Sequence, residues 1–167
     1  MTVAEFTNES VMVIEPEKLR PLAKLALSSP SRRYRLCLHH TTSAIVQESV
    51  LALCRDSYIQ PHRHTSQKSE SYHIIEGRLA VVFFDESGNI TQHIEMSAPT
   101  EGGAFLYRLS EQRWHMPVPL TDLVIMHEVF AGPFEKTKDV QYAPWAPTAD
   151  NMNAAAQYTQ DLLANLL

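Results

Sequence analysis

The 167-residue sequence predicts a mostly β fold, a sandwich or small barrel with a few flanking α-helices at its N-terminus and C-terminus. Three observations carry that expectation. From Ser57 onward helical periodicity gives way to short apolar runs of strand length, Leu79 to Phe84, Asn89 to Met96, Ala104 to Leu109 and Leu123 to Phe130. All five glycines fall within this stretch, each at the edge of an apolar run, where they punctuate turns. Asp85-Glu86-Ser87-Gly88-Asn89 joins two of the runs by a short polar loop of hairpin type.

The elements follow in order. After a β-like start, Leu19, Leu22 and Ala26 recur at helical spacing behind Pro16, and Ser28-Ser29-Pro30 ends that helix, expected over 17–27. Arg33 to His39 alternates as a strand, with Tyr34, Leu36 and Leu38 on one side. Thr41, Thr42 and Ser43 offer caps for a second helix from Ala44 to Cys54, with Val46, Val50, Leu53 and Cys54 as its buried stripe. Ser57 to His64 reads as a strand. Gly132-Pro133-Phe134 closes the β region, and Tyr142 to Pro147 is too proline-rich for a strand centre, so it is expected to run extended over the surface. Asp150 is placed to cap a final helix bearing Met152, Ala155, Leu162 and Leu166 near one face, which would cover a sheet or a neighbouring subunit. The chain is thus expected to be one domain in three parts. Residues 1–56 pack on a barrel, 57–135 form its core, and 136–167 supply the proline-rich segment and last helix.

Composition narrows the function. With 44% hydrophobic residues, 20% charged residues and a net charge of −5, the chain reads as an ordinary globular protein without the basic stripe that nucleic acid requires. Cys37 and Cys54 form no CxxC pair, which suits two packed thiols in a reducing compartment. The first residues lack a basic region followed by an apolar one, and no apolar run approaches the roughly 20 residues of a membrane span. A cytoplasmic protein with no membrane partner is expected.

His62-Arg63-His64 is the strongest chemical signal. Two histidines at i and i+2 project from the same face of a strand and can share one ion, whereas on a helix they would diverge by roughly 200°. The polar stretch Thr65 to Ser69 can turn the chain so that Glu70 faces them from the returning strand; a slip of one residue would offer His73 or Glu76 instead. With His115 the set becomes three imidazoles and one carboxylate, suited to a divalent Fe, Mn, Ni, Co or Zn ion. Tyr58 and Gln60 share the parity of the two histidines and are expected to contact substrate or orient the ligands. Arg33, within the cluster Arg32, Arg33 and Arg35, can clamp a phosphate or carboxylate, though such a run also makes a solvated face. His39 is expected at the pocket mouth and His127 in the core, while Trp145 between prolines is expected to pin the tail onto the barrel.

These residues resemble the first motif of the cupin superfamily, G-x5-H-x-H-x3-4-E-x6-G, through His62, His64, Glu70 and Gly77. Five residues rather than three or four separate His64 from Glu70, and the leading glycine is missing. Of the second motif, P-x-G-x2-H-x3-N, His115 alone is matched. More narrowly, Ser29 to Arg33, Leu38-His39-His40, Ser57 to His64, Gly77 to Asp85, Trp114-His115, Gly132-Pro133-Phe134 and Trp145-Ala146-Pro147 look like the WbuC-type cupin-fold metalloproteins associated with surface-polysaccharide gene clusters. That resemblance implies a cupin-type double-stranded β-helix, or jelly-roll barrel, with one divalent metal ion per chain and a role in carbohydrate biosynthesis. Expected functions are therefore isomerase- or epimerase-like chemistry on a sugar or nucleotide-sugar, a non-haem Fe(II) dioxygenase, or a non-catalytic metal-stabilised module for a saccharide or small anion. The ligand is expected to be a carbohydrate or carboxylate. A homodimer is expected because jelly-roll edges are often closed by a second subunit.

Overall fold

The computed structural model describes residues 4–65 and 68–166; Met1 to Val3, Ser66-Gln67 in the polar turn, and Leu167 lie outside the described residues. Along the chain, β1 (Ala4–Phe6) leads through α1 (Pro16–Ser28) to β2 (Arg33–Cys37) and β3 (Val46–Cys54). There follow β4 (His62–His64), β5 (Glu70–Glu76), β6 (Arg78–Phe84), β7 (Ile90–Ser97), β8 (Leu106–Leu109), β9 (Trp114–Pro119) and β10 (Leu123–Ala131). The chain ends with α2 (Lys136–Asp139), β11 (Val140–Tyr142) and α3 (Met152–Leu166).

One sheet has the order β1-β2-β3-β10-β5-β8 and the other β11-β4-β9-β6-β7. Apart from the parallel β1–β2 pair, the strand pairs are antiparallel. The sheets face each other as a jelly-roll barrel, and strand alternation sorts their side chains. Leu51 and Leu53 of β3, Tyr72 and Ile74 of β5, Leu79, Val81 and Phe83 of β6, and Val124 and Met126 of β10 fill the space between the sheets.

The opposite parity is also buried. Val50, Ala52 and Cys54 of β3 and Ile125 of β10 pack beneath Leu22 and Ala26 of α1. On the second sheet, Ala80, Val82 and Phe84 of β6 and Trp114, Met116 and Val118 of β9 pack beneath Ala155 and Leu162 of α3. Burying a side chain of Leu or Phe size contributes about 1.5–3 kcal/mol, so these two helices do more than decorate the barrel.

This two-sided burial explains the main correction. Residues 44–54, expected as a helix, are strand β3 from Val46, paired with β2 on one side and β10 on the other. A central strand covered on both faces loses the alternation that marks a half-buried one. Strands β2 and β3 consequently belong to the sheet itself rather than to a segment packed on it. The strand expected over 57–64 is regular only at His62–His64. Within the proline-rich segment the short α2 and β11 form, and β11 pairs with β4. The last helix is capped by Asn151, whose side chain accepts a hydrogen bond from the Ala154 N–H at 3.3 Å, rather than by Asp150. Trp145 does pin the tail, its ring tilted against Phe84 with ring centroids 5.1 Å apart.

Gly77, at the β5–β6 turn, has φ of +80°, and a Cβ there would lie 2.2 Å from the Leu123 carbonyl oxygen. Gly102 has the same φ of +80° with nothing within 4 Å of its Cβ position. Gly77→Ala is expected to lower unfolding free energy by about 2 kcal/mol or more, and Gly102→Ala by about 1 kcal/mol, since only the first adds a backbone clash to the strain. Urea unfolding of the two variants measures the difference.

Candidate metal centre

Strand β4 points His62 and His64 inward, and β9 brings His115 directly opposite His62 in register. One ligand nitrogen from each of the three lies within 4.8 Å of the others. His115 and His64 are buried and His62 is half-buried. Glu70 reaches the same point from β5 in the facing sheet, with its side chain 2% exposed. The centre therefore bridges the two sheets.

Each imidazole is oriented through its second nitrogen. His62 Nδ1–H donates to the Gln60 carbonyl at 3.0 Å, His115 Nδ1–H to the Arg113 carbonyl at 2.9 Å, and His64 Nδ1–H to the Asp139 carbonyl at 3.3 Å. A carbonyl can only accept, so all three rings carry a proton on Nδ1, and each, when neutral, turns a lone pair on Nε2 inward. Those lone pairs meet a carboxylate. His115 Nε2 lies 2.9 Å from Glu70 Oε1 without hydrogen-bond alignment, and His64 Nε2 lies 3.2 Å from Glu70 Oε2 with the alignment of a hydrogen bond, which needs a proton or a cation on that nitrogen. Neither His115 Nε2 nor Glu70 Oε1 has a hydrogen-bond partner among the described residues. Lone pairs facing lone pairs repel unless a proton or a cation lies among them.

The electrostatics agree. Burial, followed by the neighbouring His115, pushes His62 down to about 3, so this ring stays neutral. Burial also opposes charge on Glu70, but His115 and His64 outweigh it and hold the carboxyl well below its usual range. For His115, burial is likewise outweighed by Glu70, and the ring is pushed up, toward a protonated form whose proton a cation at Nε2 would displace. Neutral imidazole and ionised carboxylate are the forms that bind divalent metals, and carbonyl-oriented Nδ1–H groups are the usual support of such ligands. The donor set thus fits a divalent cation of the Fe, Mn, Ni, Co or Zn kind.

The centre lies in the wall of a cavity of about 370 Å³. Arg33 and His39 line it as expected from the sequence. Tyr58 and Gln60 do not. The irregular backbone before His62 breaks the alternation that would have aimed them inward; Tyr58 donates its hydroxyl to the Pro147 carbonyl at 2.7 Å, and Gln60 donates from its side chain to the Ala143 carbonyl at 3.1 Å. Gln60 still serves the centre through its backbone oxygen. His73 and His127 pair on the first sheet, ring centroids 5.4 Å apart, with Glu48 near His127, and neither lines the cavity.

Sequence reasoning missed Glu128. It lines the cavity from β10, 15% exposed, ion-paired to Arg35 at 2.8 Å and accepting a hydrogen bond from Ser49 at 3.2 Å. The signal was available, because Glu128 shares the inward parity of Val124 and Met126 and is a charge on the apolar side of a strand.

Comparison with known proteins bears on the fold. Oxalate oxidase, in a structure with the substrate analogue glycolate, matches with a TM-score of 0.52 at 12% identity, over 80% of this chain and 75% of its own. The fold is that of the cupins. The protein TT1209 from Thermus thermophilus matches this cupin fold with a TM-score of 0.51 at 15% identity, over 72% of the chain and 97% of its own. The Cnp3 cupin domain of Schizosaccharomyces pombe matches over 60% of this chain with a TM-score of 0.46 at 10% identity. The chain spans 61% of the length of that domain, and the same share of an HTH_3 family transcriptional regulator from Vibrio cholerae. The family described as a domain of unknown function (DUF6016) matches residues 14–96, just under half of the chain. No curated protein matches the sequence. No helix among the described residues is long and apolar enough to cross a membrane.

Adding Mn(II) or Zn(II) to metal-stripped protein is expected to raise its thermal midpoint, with about 2.7 kcal/mol of stabilisation once free metal reaches about 100 times Kd. The double variant His62→Ala, His64→Ala should lose that increment, and His127→Ala should keep it. Differential scanning calorimetry with and without metal reads all three.

Proposed function

We propose that this cupin binds one divalent cation through His62, His64, Glu70 and His115 and acts on a monosaccharide-sized compound by isomerase- or epimerase-like proton transfer. The observation that carries the reading is the convergence of three carbonyl-oriented Nε2 lone pairs and one buried carboxylate on a cavity wall. Bound there, the cation supplies a Lewis acid to a carbonyl or hydroxyl oxygen of the ligand.

The residues of the chain supply the rest. Tyr72 donates its hydroxyl to Glu70 Oε2 at 3.0 Å and fixes that carboxylate. Glu128, held by Arg35 and Ser49, is the carboxylate suited to take a proton from a carbon next to the carbonyl and return it. A volume of about 370 Å³ lies at the low end of the roughly 300–1,000 Å³ usual for ligand pockets, which favours a single sugar unit over a nucleotide-sugar. Placement in surface-polysaccharide biosynthesis, in the cytoplasm and as a homodimer, belongs to the same proposal; the first draws its support from the WbuC-type resemblance, the second from the two unpaired thiols, and the third from open jelly-roll edges.

Elemental analysis of protein purified without an affinity tag or chelator is expected to show about one divalent ion per chain. Glu128→Gln should retain that ion while lowering turnover of an aldose or ketose by about 10²–10⁴-fold, read by exchange of the α-proton with D₂O. Oxygen consumption by the iron-loaded protein would replace the isomerase reading by an oxygenase. Saccharide binding without exchange or oxygen uptake would leave a binding module.

A further inference from the structure

Arg33 occupies the cavity in a different way from its neighbour Arg35. The two stand at i and i+2 of β2, opposite Leu53 and Leu51 of β3, so both face the interior. Arg35 is neutralised by Glu128. Arg33 is not: its Nη1 donates to the Tyr58 carbonyl at 2.7 Å, and among the described residues no carboxylate pairs with it. Burial and the adjacent Arg35 charge both work against its ionised form, yet a guanidinium stays charged in proteins. A half-buried guanidinium with most of its five N–H donors uncommitted is costly unless something brings a countercharge. Lys136 lines the same cavity and adds a second cation.

Among the described residues, the two carboxylates that line this cavity already have partners. Glu70 faces the histidines and Glu128 faces Arg35. Positive charge is left over in the cavity, and a divalent ion at the histidines would add to it. The countercharge must therefore arrive with the ligand.

We propose that the ligand is a monosaccharide-sized oxyanion, a sugar acid or sugar phosphate, whose anionic group is received by the Arg33 guanidinium while an oxygen elsewhere on it reaches the histidine centre. The inference rests on the metal reading above for its second contact only. A guanidinium fork matches carboxylate and phosphate oxygens with two parallel hydrogen bonds, which gives orientation as well as attraction. Arg33 then fixes which end of the ligand lies at the metal.

The test titrates the protein, with its metal content measured in the same sample, against glucose, gluconate, glucose 6-phosphate and inorganic phosphate by calorimetry. At least one anion is expected to bind about tenfold or more tightly than glucose, with affinity falling as salt rises; the tighter of gluconate and glucose 6-phosphate distinguishes carboxylate from phosphate. Arg33→Gln should abolish the preference, and Arg33→Lys, which keeps the charge but loses the fork, should restore part of it, both at wild-type metal content. In wild-type protein carrying ¹⁵N-arginine, the Arg33 Nε–H resonance should move with the anion and stay still with glucose, so the inference remains testable if the variants fail to fold. Equal binding of glucose and the anions, no binding of any probe, wild-type anion affinity in Arg33→Gln, or an Arg33 resonance indifferent to all four probes overturns it. An anion response at Arg33 in protein unable to hold metal would overturn the metal reading and leave Arg33 as an anion site. A metal-replete protein without anion preference would do the reverse.

Discussion

Everything about the centre depends on three carbonyl oxygens. Because the Gln60, Arg113 and Asp139 carbonyls can only accept, they hold the proton of each imidazole on Nδ1 and commit each Nε2 lone pair to the interior. Two of these contacts are local, each ring bonding the carbonyl two residues before it, so β4 and β9 carry their own orientation for His62 and His115. The third is not. His64 is oriented by Asp139, 75 residues away, at the turn from α2 into β11. Asp139 also accepts the Thr65 N–H at 3.1 Å, and β11 pairs with β4 through His64, Arg63 and His62. The tail therefore completes the centre by closing the edge of the sheet that carries it.

That arrangement runs against stability unless the centre does something. A buried polar atom without a partner costs about 1–3 kcal/mol, and the interior holds His115 Nε2 and Glu70 Oε1 in that state within 2.9 Å of each other. The surrounding core offsets the cost. The middle of each sheet is covered on both faces, by the facing sheet inside and by α1 over β3 and β10 or α3 over β6 and β9 outside, so β9, which bears His115, and β10, which pairs with the Glu70 strand, have little freedom to relax and relieve the conflict.

The same double coverage decides what could be read from the sequence. The jelly-roll class, the helices at either end and the inward pair His62 and His64 were legible because turn glycines and an i, i+2 histidine pair carry strong local constraints. Leu79 to Phe84 also read correctly as a strand, although buried on both faces, since Gly77 and paired valines mark its start and character. Val46 to Cys54 did not: its apolar run without alternation, behind a threonine-serine cluster, imitates a capped helix, and only pairing with β2 and β10 makes it a strand. Tyr58 and Gln60 were misplaced for the opposite reason, because strand parity was extended across residues whose backbone is irregular. The Asp139 carbonyl had no signature at all, since every residue has a carbonyl and only the tertiary fold selects one.

For the proton transfer proposed above, the choice of base follows from what surrounds each candidate. Tyr72 is buried beside Glu70, and burial followed by that carboxylate raises its hydroxyl well above the usual range, so it donates to Glu70 and does not act as a base. Burial, then Glu70, raises Tyr107 in the same direction. His62, His64 and His115 have their Nε2 lone pairs committed to the centre, and His39 Nδ1 accepts the Glu48 N–H at 3.0 Å. Glu128 differs from all of these. It lines the cavity, is fixed by Arg35 and Ser49, and is spared from the histidine cluster. A base must be held still while keeping a lone pair for the ligand, and a carboxylate has lone pairs enough to accept from Arg35 and Ser49 and still take a proton. Arg35 thus serves Glu128, which is why its neighbour Arg33, pointing the same way without a carboxylate, is the one left for the ligand.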